Sequence, residues 1–310
     1  MLSMKGYELE NDETLEEIKR YAVVTGANKG IGFAICKQLA SNGNTVVLTA
    51  RDEKRGHQAV EKLKELSLPG HVLFHQLDVA DPASRGAVAD FIRNLCGKLD
   101  ILVNNAGISG AHVDGEALAA VDIMKTAGRV DWSKIVTETY ELTEAGLKTN
   151  YYGPKELTKE LIPLLQLSDS PKIVNVSSSM GRLEHIPNGW PKEVLSDVEN
   201  LTEEKIDGLL NEFLKDYKEG SLETKGWPLA MPAYSVSKAA LNAYTRILAK
   251  KYPSFCINAI CPGYVKTDIN CNTGFLTPDE GAEPAVRLAL LPNNGSPSGH
   301  FFFRSEEKPF

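Results

Sequence analysis

This chain is short of positive charge, of paired cysteine and of long apolar runs. Its 34 lysines and arginines stand against 41 aspartates and glutamates, for a net charge of −7. Nucleic-acid and anionic-membrane surfaces need clustered excess Lys and Arg, so neither partner is expected, and any cation that matters acts locally. Cys36, Cys96, Cys256, Cys261 and Cys271 are scattered, odd in number and without a Cys-x-x-Cys. That argues against a disulfide framework and a zinc knuckle, and for reduced thiols. No metal site is expected either: His71 and His75 share a strand face, but no third ligand has a sensible spacing. Nothing approaches the roughly 18 apolar residues of a membrane span. Met1 to Arg20 is polar and acidic, without the apolar core of a secretory signal. The expectation is a cytoplasmic protein whose residues 1–20 form a flexible extension.

What is present is a rhythm. Short apolar runs (Tyr21–Thr25, Thr45–Thr49, Val72–Leu77, Ile101–Val103, Lys172–Val176, Phe255–Ile260) alternate with stretches of helical periodicity (Phe33–Ala40, Gly56–Leu66, Ser84–Leu95, Glu156–Leu165, Tyr234–Lys251). Continuously apolar strands joined through helices predict an α/β, Rossmann-type, doubly wound parallel sheet with helices on both faces. The stretches 110–144 and 182–232 break the rhythm. Both read as insertions into one domain spanning 21–310, the second carrying a helix-permissive acidic run from Leu201 to Lys218.

Between the first strand and first helix lies Thr25-Gly26-Ala27-Asn28-Lys29-Gly30-Ile31-Gly32. Glycines at a first βα turn permit close approach of backbone to a pyrophosphate, and the helix N-terminus supplies oriented N–H groups. The spacing is Gly-x-x-x-Gly-x-Gly, which by itself fits an ordinary turn too. The second strand ends Ala50-Arg51. An NAD-preferring site usually places a carboxylate there, whereas a nearby Arg suits a 2′-phosphate, so Arg51 and Lys29 point to NADPH. Asp78-Val79 and Asn104-Asn105-Ala106-Gly107 close the third and fourth strands and extend the same crevice.

The chemical end is Tyr234-Ser-Val-Ser-Lys238. Tyr and Lys at i and i+4 share a helical face. A tyrosine of pKa about 10 is a poor proton donor near neutrality until a neighbouring ammonium favours its phenolate. Tyr-x-x-x-Lys alone is common by chance; its company is not. The fifth strand runs into Ser177-Ser178-Ser179, placing hydroxyls at the edge where an alkoxide could be stabilised. Asn150 sits in a helical segment before that strand, and Cys261-Pro262-Gly263-Tyr264-Val265-Lys266-Thr267 follows the sixth.

Together these residues resemble the short-chain dehydrogenase/reductase family from about Tyr21 onward. The resemblance implies that Tyr234 is the general acid and that Lys238 lowers its pKa and holds the nicotinamide ribose. It implies that Ser178 (with Ser177 as the alternative) binds the carbonyl oxygen, and that Asn150 positions a water leading from Lys238. Gly26, Asn28, Lys29, Gly30, Ile31, Gly32, Arg51, Asp78, Val79, Asn105, Ala106, Gly107, Pro262, Gly263, Val265 and Thr267 would hold the cofactor with Tyr234 and Lys238.

Within the family the chain is similar to the monomeric plant reductases, the group of neomenthol dehydrogenase, menthone reductase and salutaridine reductase. Asn28-Lys29-Gly-Ile-Gly32, Leu48-Thr-Ala-Arg-Asp52, Leu161-Ile-Pro-Leu-Leu-Gln166 and Gly226-Trp-Pro228 carry that likeness. Ordinary members have about a dozen residues between the serine and the tyrosine; this chain has more than fifty between Ser178 and Tyr234. The added helix implies a covered surface and a monomer. It also implies a lid, with Trp190, Trp227, Met231 and Leu183 near an apolar ketone, and Ile108, Met180 and Tyr264 as further pocket candidates; the alternative is that these four residues only pack the insertion onto the sheet. The expected activity is NADPH-dependent reduction of a hydrophobic plant ketone, terpenoid or alkaloid. An enone C=C reductase on the same fold and a non-catalytic NADPH-binding regulator are the alternatives, and Tyr234 favours the ketone. The Glu203-Glu204 and Glu306-Glu307 pairs read as solvated surface.

Overall fold

The computed structural model describes residues 20–121, 130–292 and 295–310. The extension expected before Arg20, and part of the 110–144 insertion, lie outside the described residues. Eight strands form one sheet. From one edge they run β10 (Glu306–Lys308), β9 (Phe301–Phe303), β8 (Cys256–Cys261), β7 (Lys172–Val176), β4 (Ile101–Asn104), β1 (Tyr21–Val24), β2 (Thr45–Ala50) and β3 (His71–Gln76). All neighbours are parallel except β10, which returns antiparallel on β9. The expected parallel sheet therefore carries one antiparallel edge, made by a short hairpin whose Glu306-Glu307-Lys308 has no apolar pattern to announce a strand.

The continuously apolar strands are buried on both faces, β2 along its whole length, and successive residues serve opposite cores. Ala22 and Val24 pack with α1 (Gly30–Ser41), α2 (Glu53–Lys64) and α10 (Pro278–Ala289). Val23 packs with α3 (Pro82–Cys96), α6 (Gly153–Leu165) and α9 (Pro232–Lys251). Helix ends follow ordinary capping chemistry: Asp52 and Asp81 cap α2 and α3, and Thr277 with Glu280 forms a capping box on α10.

The first insertion contributes a two-stranded ladder, β5 (His112–Val113) with β6 (Val136–Thr137), together with α4 (Gly115–Ala119) and α5 (Tyr140–Leu147). The second contributes α7 (Trp190–Ser196) and α8 (Glu203–Glu219). Helix α8 lies across α5, α6 and α9, burying Ile206, Leu209, Leu210 and Phe213.

Candidate active site

The parallel strands end along one edge, and the glycine-rich turn after β1 meets the β4 loop there. Gly26 takes φ +61°, and a Cβ on it would stand 2.9 Å from the Ala106 Cα. A Cβ on Gly32 would lie 2.5 Å from the Asn105 Nδ2 and 2.8 Å from the Gly26 carbonyl oxygen. Only glycine fits either place. The contact is sealed by hydrogen bonds: Asn105 Nδ2 donates to the carbonyls of Thr25 (2.8 Å) and Gly26 (3.2 Å). The Thr25 hydroxyl accepts from the Asn105 and Ala106 N–H groups, each at 2.9 Å. Thr25, not singled out from the sequence, is thus the pin of the crevice.

Helix α1 opens differently from α2 and α3. Its N-cap, Lys29, gives no side-chain cap, and its first turn has no acidic residue, so its N–H groups face the crevice without a side-chain acceptor. Gly30 faces Thr267, whose Cγ2 would be 3.3 Å from an added Cβ, bringing the Val265–Thr267 segment to the same place. Asn28 and Ile31 flank this turn; Pro262 and Gly263 (φ +89°) lead from β8 into that segment. Asp78, half-buried, and Val79, buried, follow β3, held by Ser84 Oγ on the Asp78 N–H (2.9 Å) and by Arg85 on the Val79 carbonyl (2.9 Å). A bare helix N-terminus, a floor without side chains and polar strand ends fit an extended dinucleotide.

The two cations expected to favour NADPH differ. Arg51 is exposed beyond the end of β2. Lys29 is paired with Asp268, which holds that carboxyl below its usual range, with Arg55 adding to the effect. Arg51 is the stronger candidate, and Arg55 was not foreseen.

At the far end of the crevice, Tyr234 and Lys238 lie one turn apart on α9, with the Lys238 Nζ 5.7 Å from the Tyr234 ring centre. Lys238 is buried and donates to the Val176 carbonyl at 2.8 Å. Burial pulls its pKa down to about 8, against a smaller raising influence of Cys261. Tyr234 lies deep in the protein yet keeps part of its surface open, as at the floor of a cleft. Burial pushes it up to about 12, Cys261 adds to the rise, and the Ser178 hydroxyl opposes it. The sequence predicts that Lys238 pulls the phenol down; here burial is the dominant influence.

Of the serines, Ser178 faces the phenol, whereas Ser177 is buried and turned to the Lys238 carbonyl. A tight turn, Ser179–Gly181, follows Ser178. Asn150 occupies a π-helical stretch, Lys148–Tyr152, a distortion often found at functional sites. It clamps Ile108 from both sides: its Oδ1 accepts the Ile108 N–H and its Nδ2 donates to the Ile108 carbonyl, each at 2.9 Å. A Cβ on Gly107 would meet the Asn150 Oδ1 at 3.3 Å and the Lys238 Nζ at 3.4 Å, so Asn150 and Lys238 border one small space.

Comparisons with known proteins agree with this arrangement. Residues 20–189 match the family described as short chain dehydrogenase, and residues 221–299 match one described as Enoyl-(Acyl carrier protein) reductase. The chain belongs to the short-chain dehydrogenase/reductase family. It is 60% identical to (+)-neomenthol dehydrogenase of Arabidopsis thaliana, over 95% of this chain and 99% of the other. The structure of salutaridine reductase from Papaver somniferum superposes with a TM-score of 0.86 at 54% identity, covering 93% of this chain and all of that one. Menthone neomenthol reductase from Mentha piperita gives 0.83 at 52%, with the same coverage. Members use nicotinamide cofactors, and this chain is an oxidoreductase.

Within the insertion, Trp227 departs from the expected lid. Trp227 is 1% exposed; it donates its indole N–H to the buried Asp216 at 2.8 Å and meets Phe213 and Trp190 edge-on. It packs the insertion and does not wall a pocket. Met231 (φ +46°), Met180 and Leu183 are half-buried, and Ile108 is exposed. Tyr264 bonds to Thr273 and packs on Phe275. Glu203 is not solvated surface: it lies 3.1 Å from Lys159 and 3.9 Å from both the buried Lys155 and Lys251. Asp207 adds a 2.5 Å pair with Lys155. Glu204, Glu306 and Glu307 are exposed as expected.

Proposed function

We propose that this chain is an NADPH-dependent carbonyl reductase that turns the ketone of a hydrophobic plant metabolite, a monoterpenoid such as menthone or an alkaloid ketone, into the secondary alcohol. The observation that carries it is the convergence of Tyr234, Ser178 and Lys238 at one end of a crevice suited to a dinucleotide. The bound cofactor supplies a hydride to the carbonyl carbon. Ser178 and Tyr234 offer two hydroxyl donors to the carbonyl oxygen, and the charge growing there is met by donors already in place. Tyr234 gives its proton to that oxygen, and the Lys238 ammonium stabilises the phenolate left behind. On this reading Asn150, held by Ile108, holds a water beside Lys238 through which the proton is restored.

NADPH is favoured over NADH by Arg51 and by the absence of a carboxylate at Ala50. The names of the related enzymes support a terpenoid or alkaloid substrate. Helix α8, spread over α5, α6 and α9, supports a monomer; a sedimentation mass of two or four chains would sink that part.

NADPH consumption over menthone-like, bicyclic and alkaloid ketones, with product analysis, is the direct test. Replacing Tyr234 with Phe removes the acid and is expected to cost at least about a hundredfold in kcat. Full activity in Tyr234→Phe rejects the mechanism, a saturated ketone as product means an enone reductase, and no turnover with any ketone leaves a cofactor-binding regulator. The pH profile adds a second check. Lys238 is charged below about 8 and neutral above it, so reduction is expected to fall as pH rises through that value. A profile unchanged well beyond it would remove Lys238 from the proton step.

A further inference from the structure

Asn150 stands on the π-helical stretch, and its amide reaches two other parts of the protein. Toward the β4 loop it holds both main-chain groups of Ile108. That contact settles which way the amide points: Oδ1 takes the Ile108 N–H and Nδ2 faces the Ile108 carbonyl, whereas a flipped amide would set oxygen against oxygen. The second hydrogen on Nδ2 goes to α9, where it is donated to the Ser237 Oγ at 3.0 Å. The Ser237 hydroxyl then gives its own proton to the Tyr234 carbonyl, one turn back, at 2.9 Å. Asn150 and Ser237 are both 0% exposed, so neither has bulk water as a substitute partner.

We propose that Ser237 is a positioning residue, tying Asn150 to the turn of α9 that carries Tyr234 and Lys238 and so keeping Asn150 in register with the proton donor. This rests on Tyr234 being the proton donor. A serine inside a helix often bonds to a carbonyl one turn back, and for that its hydroxyl needs no partner on another element. Here the same oxygen also accepts, and it accepts from the side chain that borders one small space with Lys238. Lys238 is anchored separately, on the Val176 carbonyl at 2.8 Å. Among the hydrogen bonds of the described residues, the one to Ser237 is how the Asn150 side chain reaches α9. Alanine at this place would suit the helix better and fill nearly the same space, but it would strand one Nδ2 hydrogen where nothing else receives it. The hydroxyl therefore serves position at some expense to helix propensity.

The test uses Ser237→Ala, alone and together with Asn150→Ala. In cofactor-free protein made with isotope-labelled asparagine, exchange of the Asn150 side-chain amide with water is expected to quicken about tenfold in Ser237→Ala, the order of one ordinary hydrogen bond lost. In ketone reduction, kcat of Ser237→Ala is expected to fall by a similar factor while KM for NADPH stays within about twofold. In the Asn150→Ala background the same substitution is expected to cost less than about twofold more, because the residue it acts through is gone. A serine that only packs the helix would lower both backgrounds alike. An unchanged Asn150 exchange rate, an unchanged kcat, or a loss that adds in full to that of Asn150→Ala each overturns the proposal. The exchange measurement needs no turnover, so a parent protein that reduces no ketone would defeat the reading of Tyr234 and leave the tie between Ser237 and Asn150 to be judged by exchange alone.

Discussion

The cofactor crevice and the insertion ahead of Tyr234 are assembled by opposite means. The crevice is made by the absence of side chains: Gly26 and Gly32 let main chain meet main chain, and Asn105 with Thr25 seals the contact. The insertion is made by large side chains closing on one another: Trp227 on Phe213 and Trp190, Asp216 on the indole N–H, and Glu203 and Asp207 on Lys155. A site built on missing atoms tolerates almost no substitution. A site built on packing tolerates many at a graded cost.

That contrast can be broken by experiment. The largest effect is expected from Gly32→Ala, whose Cβ would collide with Asn105 and the Gly26 carbonyl. Overpacking of this kind costs about 1–3 kcal/mol or more, and here it also displaces the cofactor floor. A melting curve should show the loss, and NADPH titration should show affinity reduced by about a hundredfold. Wild-type affinity in this variant would mean that the crevice is as pliable as the insertion. Next comes Trp227→Phe, which keeps a ring but leaves the buried Asp216 with only a long 3.4 Å contact from Ser221 Oγ. About 1–3 kcal/mol of stability should be lost, with kcat and NADPH affinity nearly unchanged. A selective fall in kcat would return Trp227 to the pocket. The smallest structural effect is expected from Arg51→Ala, because the side chain is exposed. Melting should move little, while the preference for NADPH over NADH drops by about tenfold, the order expected when an arginine–phosphate interaction is lost.

Much of the crevice was readable because its chemistry demands particular residues at particular strand ends. Each piece is weak alone, but the glycine-rich turn, Asn-Asn-Ala-Gly, the serines after the fifth strand and the tyrosine and lysine of α9, in that order along the chain, allow few other interpretations. The pieces that escaped are those where residue type underdetermines place. Glu203 next to Glu204 looks like a solvated pair until α8 turns one of them onto Lys155 and Lys159. Trp227 beside a proline suits a lid as well as a core. Helix α10 left a trace, Thr277 three residues before Glu280 in a capping box, that could have revealed it.

The π-helical turn at Lys148–Tyr152 carries a consequence for how such a site arises. A π-turn is an α-helix holding one residue too many, and here that surplus residue accompanies the presentation of Asn150 to Ile108. Point substitutions cannot add or remove it; a one-residue insertion or deletion can. Removing one residue from 148–152 would let the segment relax to a regular helix and swing Asn150 by roughly 100° about the axis, away from Ile108. The site is therefore guarded by chain length as much as by residue identity, and variation in this stretch should be tolerated in letters before it is tolerated in count.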